Sequence, residues 1–134
     1  MRLWHQSLIS KLPRQQLLGL HRECAALRGK GWGRNHSVVN YVFTHDPEYL
    51  VAYHYLVMDE MKRRGYNPDE VWRNPNWRGT ALGEDSSWVG EEYVSRIYNN
   101  AKILNKIIYP EHDSDYYQVC VDNLKSKGID IGGN

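Results

Sequence analysis

Apolar side chains recur along this chain at helical spacing, interrupted by proline and glycine where helices would begin and end. Pro13 suits a first helical position, and Leu17, Leu20, Cys24 and Leu27 follow at intervals of three, four and three. The first helix is therefore expected to stop at Gly29, where a glycine can take the left-handed conformation. Asp46 as N-cap, Pro47 at the first position and Glu48 beside the positive end of the dipole open a second helix, which runs to about Arg64. Leu50, Tyr53, Val57 and Met61 would face inward, and Gly65 with Asn67-Pro68 ends the run. A third helix follows the capping cluster Asp85-Ser86-Ser87, with Val94, Ile97, Tyr98, Ala101, Leu104 and Ile108 on one side before Pro110. A short last helix is expected from Tyr116 to Lys127, stopped by Gly128, with a frayed tail from about residue 129.

Two segments do not follow the helical period. Residues 36–44, HSVVNYVFT, read either as a strand or as an extended connection into the second helix. Residues 66–84 hold two prolines, two glycines, Trp72 and Trp77, and read as an ordered loop long enough to suspect a function. The pattern predicts an all-α fold: a single compact domain over residues 1–134, with three main helices, a short C-terminal helix and long ordered loops.

Composition narrows the class. With 41% hydrophobic residues, 5 Trp and 10 Tyr in 134 residues, the chain is too apolar and aromatic to be disordered. No stretch nears the roughly 18 apolar residues of a membrane span, and MRLWHQSLISKLPR lacks a secretion signal's apolar run, so a soluble cytoplasmic protein is expected. Cys24 and Cys120 sit in no metal-ligand pattern, and the histidines lack ligand spacing, so neither a metal site nor a disulfide scaffold is expected. The net charge of +1 hides an asymmetry. Residues 1–35 carry Arg2, Lys11, Arg14, Arg22, Arg28, Lys30 and Arg34 against Glu23 alone, a net of +6, which leaves −5 on the remaining 99. One end of the molecule is a candidate anion-binding surface.

On a helical wheel, Gln16, Gly19, Glu23 and Ala26 share a strip flanking the apolar face of the first helix. The small residues one turn either side would leave a hollow over Glu23, and partial desolvation would push a carboxylate's pKa up toward the range useful in acid/base work. The competing reading is a surface ion pair between Glu23 and a nearby arginine. Trp4, His5 and Trp32 could act as wedge or stacking groups, or simply as core and rim residues.

The run MRLWHQSLISKLPRQQLLGLHREC resembles the start of the phage-type endonuclease V family, the pyrimidine-dimer DNA glycosylases with abasic-site lyase activity. The shared features are a basic residue near the start, a leucine-rich helix and the dipeptide Arg22-Glu23. HDPEYLVAYHYLVMDEMKRRGYN (45–67) looks like the family's central helix with its basic-Gly-aromatic-Asn turn, and residues 90–107 are similar to a later helix with basic residues one turn apart, here Lys102 and Lys106. The resemblance implies that an N-terminal α-amine attacks the sugar C1′ of a damaged nucleotide to give an imine. It also implies that Glu23 moves protons and that Arg22 holds a phosphate. An unperturbed α-amine, with a pKa of about 8 against about 10.4 for lysine, supplies far more free base at neutral pH. The bulky Arg2 disfavours removal of the first residue, so Met1 is expected to provide that amine. The family's second helix arginine falls at Ala26, its histidine at Gln16, and its C-terminal Trp is missing beside Tyr116-Tyr117.

The leading expectation is thus a DNA repair glycosylase and lyase with Met1 and Glu23 catalytic. Arg2, Arg22, Arg28, Lys30, Arg34, Lys102 and Lys106 would contact damaged double-stranded DNA. The chain is expected to be a monomer, with no cofactor, no metal and no membrane partner. The alternatives are a noncatalytic nucleic-acid-binding module of the same fold and a protein-interaction domain using loop 66–84.

Overall fold

The helix starts written in the sequence are largely where the chain turns. In the computed structural model, which describes residues 2–35 and 37–131, four α-helices are joined by 3-10 turns and ordered loops, with no strand among the described residues. They are α1 (Arg14–Arg28), α2 (Pro47–Arg63), α3 (Glu91–Leu104) and α4 (Ser114–Ser126). The fold is all-α, and α2 is its axis, with α1 and α3 both packed on it.

Each boundary has a local cause. Gly29 ends α1, but with φ −96° rather than a left-handed angle. Glycine is required there because a Cβ would come within 2.9 Å of the Arg78 carbonyl oxygen. Gly65 does take a positive φ, 87°, after α2. α3 starts later than its capping cluster suggests, because the Asp85 carboxylate closes its own turn on the Ser87 backbone N–H and hydroxyl. It ends at a left-handed Asn105 well before Pro110, which leaves Leu104 60% exposed rather than on a core face. α4 begins earlier than expected because Asp113 caps it by accepting from the Tyr116 N–H at 2.8 Å. The β-like segment is a connection containing a 3-10 turn over Asn40–Thr44, outside of which His36 is not among the described residues. Beyond α4, Ile129 and Ile131 pack against the core instead of fraying.

The first residues are threaded through the middle of the molecule. Leu3, Trp4 and Leu8 are buried with Leu17 and Leu20 of α1, Leu50 and Val57 of α2, and Leu124 of α4. Their backbone groups then need partners in the interior. The Tyr116 hydroxyl donates to the Leu3 carbonyl at 2.6 Å, the Tyr53 hydroxyl donates to the Trp4 carbonyl, and the Gln6 N–H donates to His112 Nδ1 at 3.0 Å. The Gln6 side chain accepts from the Ile108 N–H and donates to the Lys106 carbonyl. Arg64, at the end of α2, donates to the Leu12 carbonyl at 2.7 Å while its other edge meets Glu60.

Arg28, expected on the DNA-facing surface, is instead fully buried. Its guanidinium donates to the carbonyls of Trp72, Asn74 and Trp77 at 2.9, 2.8 and 3.1 Å, and lies over the Trp72 ring. No carboxylate is among these partners, and burial lowers its pKa to about 10. Loop 66–84 is thus pinned by a cation as well as by aromatics. Arg78 returns the contact by donating to the Arg28 carbonyl at 2.8 Å and stacking on Trp88. Because arginine only donates, His54 Nδ1 accepts from Arg28, so a neutral His54 carries its proton on Nε2 and donates to His21 Nδ1 at 2.8 Å.

Burial holds His54 well below the usual histidine pKa and lowers His112 to about 3. Both groups are neutral when folded at neutral pH but take up protons near pH 6.5 when unfolded, so the unfolded state binds more protons below about pH 6.5, a window that for His112 extends down to about pH 3. Stability is therefore expected to fall with pH in that window, by about 1 kcal/mol per pH unit for each histidine. Thermal unfolding followed at pH 7 and at pH 5 checks this, and an unchanged midpoint would contradict it.

Candidate functional site

One turn of α1 decides the shape of the candidate site. Gln16, Gly19 and Glu23 succeed one another along one side of the helix, and with no side chain at Gly19 a hollow of about 270 Å³ opens over Glu23. Arg2 closes it from the threaded segment, and Asn123 and Lys127 close it from α4 and the residue after it. Trp4 lies against the same hollow, with the Arg2 guanidinium 5.6 Å and the Lys127 ammonium 6.0 Å from its ring centre. Glu23 is only 7% exposed. A carboxylate in a cationic, half-closed hollow is suited to moving protons, and the cations around it are suited to an anionic ligand.

The strip read from the helical wheel is therefore present over three of its four positions. Ala26 falls outside it, in a second depression beyond the end of α1 that is lined by Lys30, Trp72, Trp77 and Arg78. Arg22 is exposed beside the hollow, 3.8 Å from where a Cβ on Gly19 would sit. Lys30 and Arg34 are exposed in the turn after α1, where the Arg34 Nε donates to the Lys30 carbonyl. Met1 lies outside the described residues, and Arg2 is the first residue placed.

Trp4 and His5 are buried, which makes them core residues rather than wedges. Trp32 packs edge-on against Phe43 and Trp88. Tyr116 gives its hydroxyl to Leu3 and is not available as an exposed stacking group. Burial pushes the thiols of Cys24 and Cys120 up, so neither is activated as a nucleophile. Among the described residues, no group of three His, Cys, Asp or Glu side chains could hold a metal ion, and no helix is long and apolar enough to cross a membrane.

The family model described as pyrimidine dimer DNA glycosylase matches residues 1–74, more than half of the chain. The chain belongs to this family. No match is found among curated proteins or among solved structures. The matched segment of this glycosylase family member contains the threaded residues, all of α1 with Glu23, and α2, but stops before α4 closes the hollow.

That limit matters for the basic residues expected from a later helix. α3 packs on α2, and neither Lys102 nor Lys106 lines the hollow. The Lys102 ammonium is held at 2.9 Å by Asp59, which also pairs with Arg73 and Tyr98. Lys106 lines a small separate depression with Tyr49 and Ile97. The later helix that reaches the hollow is α4, and Asn123 and Lys127, one turn apart, are the residues the sequence reading missed. Their signal was weak: a 13-residue helix whose last turn and the two residues after it read NLKSKG carries nothing that says which way it points.

Gly19 offers a separation of fold from site. Nothing but the Arg22 guanidinium lies near a Cβ there, and glycine inside a helix is less favourable than alanine by roughly 0.5–1 kcal/mol. Gly19→Leu should therefore fill the hollow while leaving the unfolding temperature unchanged or higher. Binding of irradiated duplex by the variant should weaken in a gel-shift assay, and unchanged binding would mean that the hollow is not where DNA is engaged.

Proposed function

We propose that the chain is a DNA repair glycosylase with abasic-site lyase activity, acting on ultraviolet pyrimidine dimers in double-stranded DNA. The observation that carries this reading is that Arg2 and Glu23 line one hollow. In this reading the α-amine of residue 1, one peptide bond from Arg2, is the nucleophile, and Glu23 is the sheltered carboxylate that serves it. Attack of the amine on C1′ forms a nitrogen–carbon bond as the glycosidic bond breaks, and the departing base carries off the electron pair and a proton. Opening of the sugar ring then yields an imine between the amine and C1′. Loss of a C2′ proton expels the 3′ phosphate by β-elimination, and Glu23 is the acid and base for these transfers. No cofactor enters the sequence.

The cations fit the same reading. Arg2, Arg22 and Lys127 surround the hollow and would hold the phosphates flanking the reacting sugar, with Lys30 and Arg34 continuing the contact past the end of α1. Arg28 is excluded by its burial, and Lys102 and Lys106 stand outside the proposed footprint because they lie off the hollow. Reaching C1′ in a duplex requires the nucleotide to be extruded, which costs less where pairing is already weakened by damage.

Borohydride reduction of an incubation with abasic or irradiated duplex tests the mechanism, because it converts the imine to a stable amine. A covalent adduct mapped by mass to residue 1 is expected. Absence of any adduct from protein with a confirmed free terminus would leave only a DNA-binding module of this fold. Glu23→Gln should lower turnover by roughly 10²–10⁴-fold while duplex binding is retained; equal loss of binding would remove Glu23 from the acid/base role.

A further inference from the structure

We infer that the hydroxyls of Tyr53 and Tyr116 are positioning groups for the reaction: they fix the threaded segment so that the amine of residue 1 is presented to Glu23. The inference rests on the mechanism proposed above, and goes beyond it to residues that do not line the hollow. Residues 3–5 lie outside any helix, so no helical hydrogen-bond ladder sets their register. What sets it is a cradle of side chains from three other places in the fold. Tyr53 on α2 holds the Trp4 carbonyl, Tyr116 on α4 holds the Leu3 carbonyl, and His112 in the turn before α4 holds the Gln6 N–H.

The cradle is polarised in one direction. His112 Nδ1 accepts from Gln6, so the neutral ring carries its proton on Nε2 and donates to the Tyr41 hydroxyl at 2.6 Å. The Tyr41 ring meets Tyr116 edge-on, 6.2 Å between centres, and the Tyr116 proton goes to Leu3. Tyr53 is fully buried and His112 nearly so, and the rings of Tyr53 and Tyr116 both pack on that of His112. A slip of the segment by one residue would break every one of these bonds together. The nearest of them is two residues from the amine, and a displacement of about 1 Å at a reacting atom can cost on the order of 10²-fold in rate.

Tyr53→Phe and Tyr116→Phe each remove one oxygen and keep the packing. Tyr55→Phe is the control, since its hydroxyl makes a similar bond to a backbone carbonyl, that of Arg73, away from the threaded segment. All three variants should melt somewhat lower than the wild type. At saturating abasic duplex and below those melting points, borohydride trapping should slow by roughly 10- to 100-fold in the first two and by less than twofold in the control, with duplex affinity unchanged in all. Trapping by Tyr53→Phe and Tyr116→Phe that is no slower than by Tyr55→Phe overturns the inference, as does a rate loss matched by an equal loss of affinity. A wild-type protein that gives no adduct at residue 1 overturns the mechanism itself and this inference with it, and the wild-type lane alone reports that failure.

Discussion

A chain end buried in an extended form creates an obligation that a helix does not have, since every carbonyl and N–H it brings inside must find a partner from elsewhere. Here the first described residues meet that obligation with phenol hydroxyls and an imidazole, not with a sheet. The rest of the molecule follows from it. α2 must lie where Tyr53 can reach Trp4, α4 must return to cover Leu3, and α1 must run alongside so that Gly19 and Glu23 share a hollow with Arg2. Because the partners are short rigid rings, the segment is held with little conformational freedom, which suits a site whose nucleophile is proposed to be the end of the chain.

The second organising contact is a buried cation without an anion. The two terminal nitrogens of Arg28 donate to a ring of carbonyls from residues 72–77 and its guanidinium lies over Trp72, an arrangement that gives loop 66–84 a fixed shape without regular structure. Arg78 then covers the exposed carbonyl end of α1. Two arginines thus exchange places, each reaching from one element to the backbone of the other.

The pattern of apolar residues gave away the four helices, and the spacing of Gln16, Gly19 and Glu23 gave away the hollow, because both are local properties of a helix with 3.6 residues per turn. Arg28 could not be placed in the same way. It sits in a basic stretch among exposed arginines, and its partners are backbone carbonyls 44 to 49 residues away, which have no signature in the sequence. The choice between α3 and α4 as the helix that completes the site was equally hidden. Both carry lysines near their ends, and only the path of residues 105–113 across the molecule brings Lys127 to Trp4 and leaves Lys102 with Asp59. The boundaries of α3 were misread for a different reason: Asp85 and the two serines after it are good caps, and they close a turn of their own instead.

The cradle also sets an order of events during synthesis. The bonds that fix Leu3 and Gln6 reach to residues 106–116, 100 to 113 positions further along the chain. A ribosome releases the beginning of the polypeptide long before those partners exist, and contacts of such separation close late in folding. The threaded segment therefore stays undocked until residues 106–116 have emerged and folded over it, so the hollow over Glu23 is among the last features of the molecule to take shape.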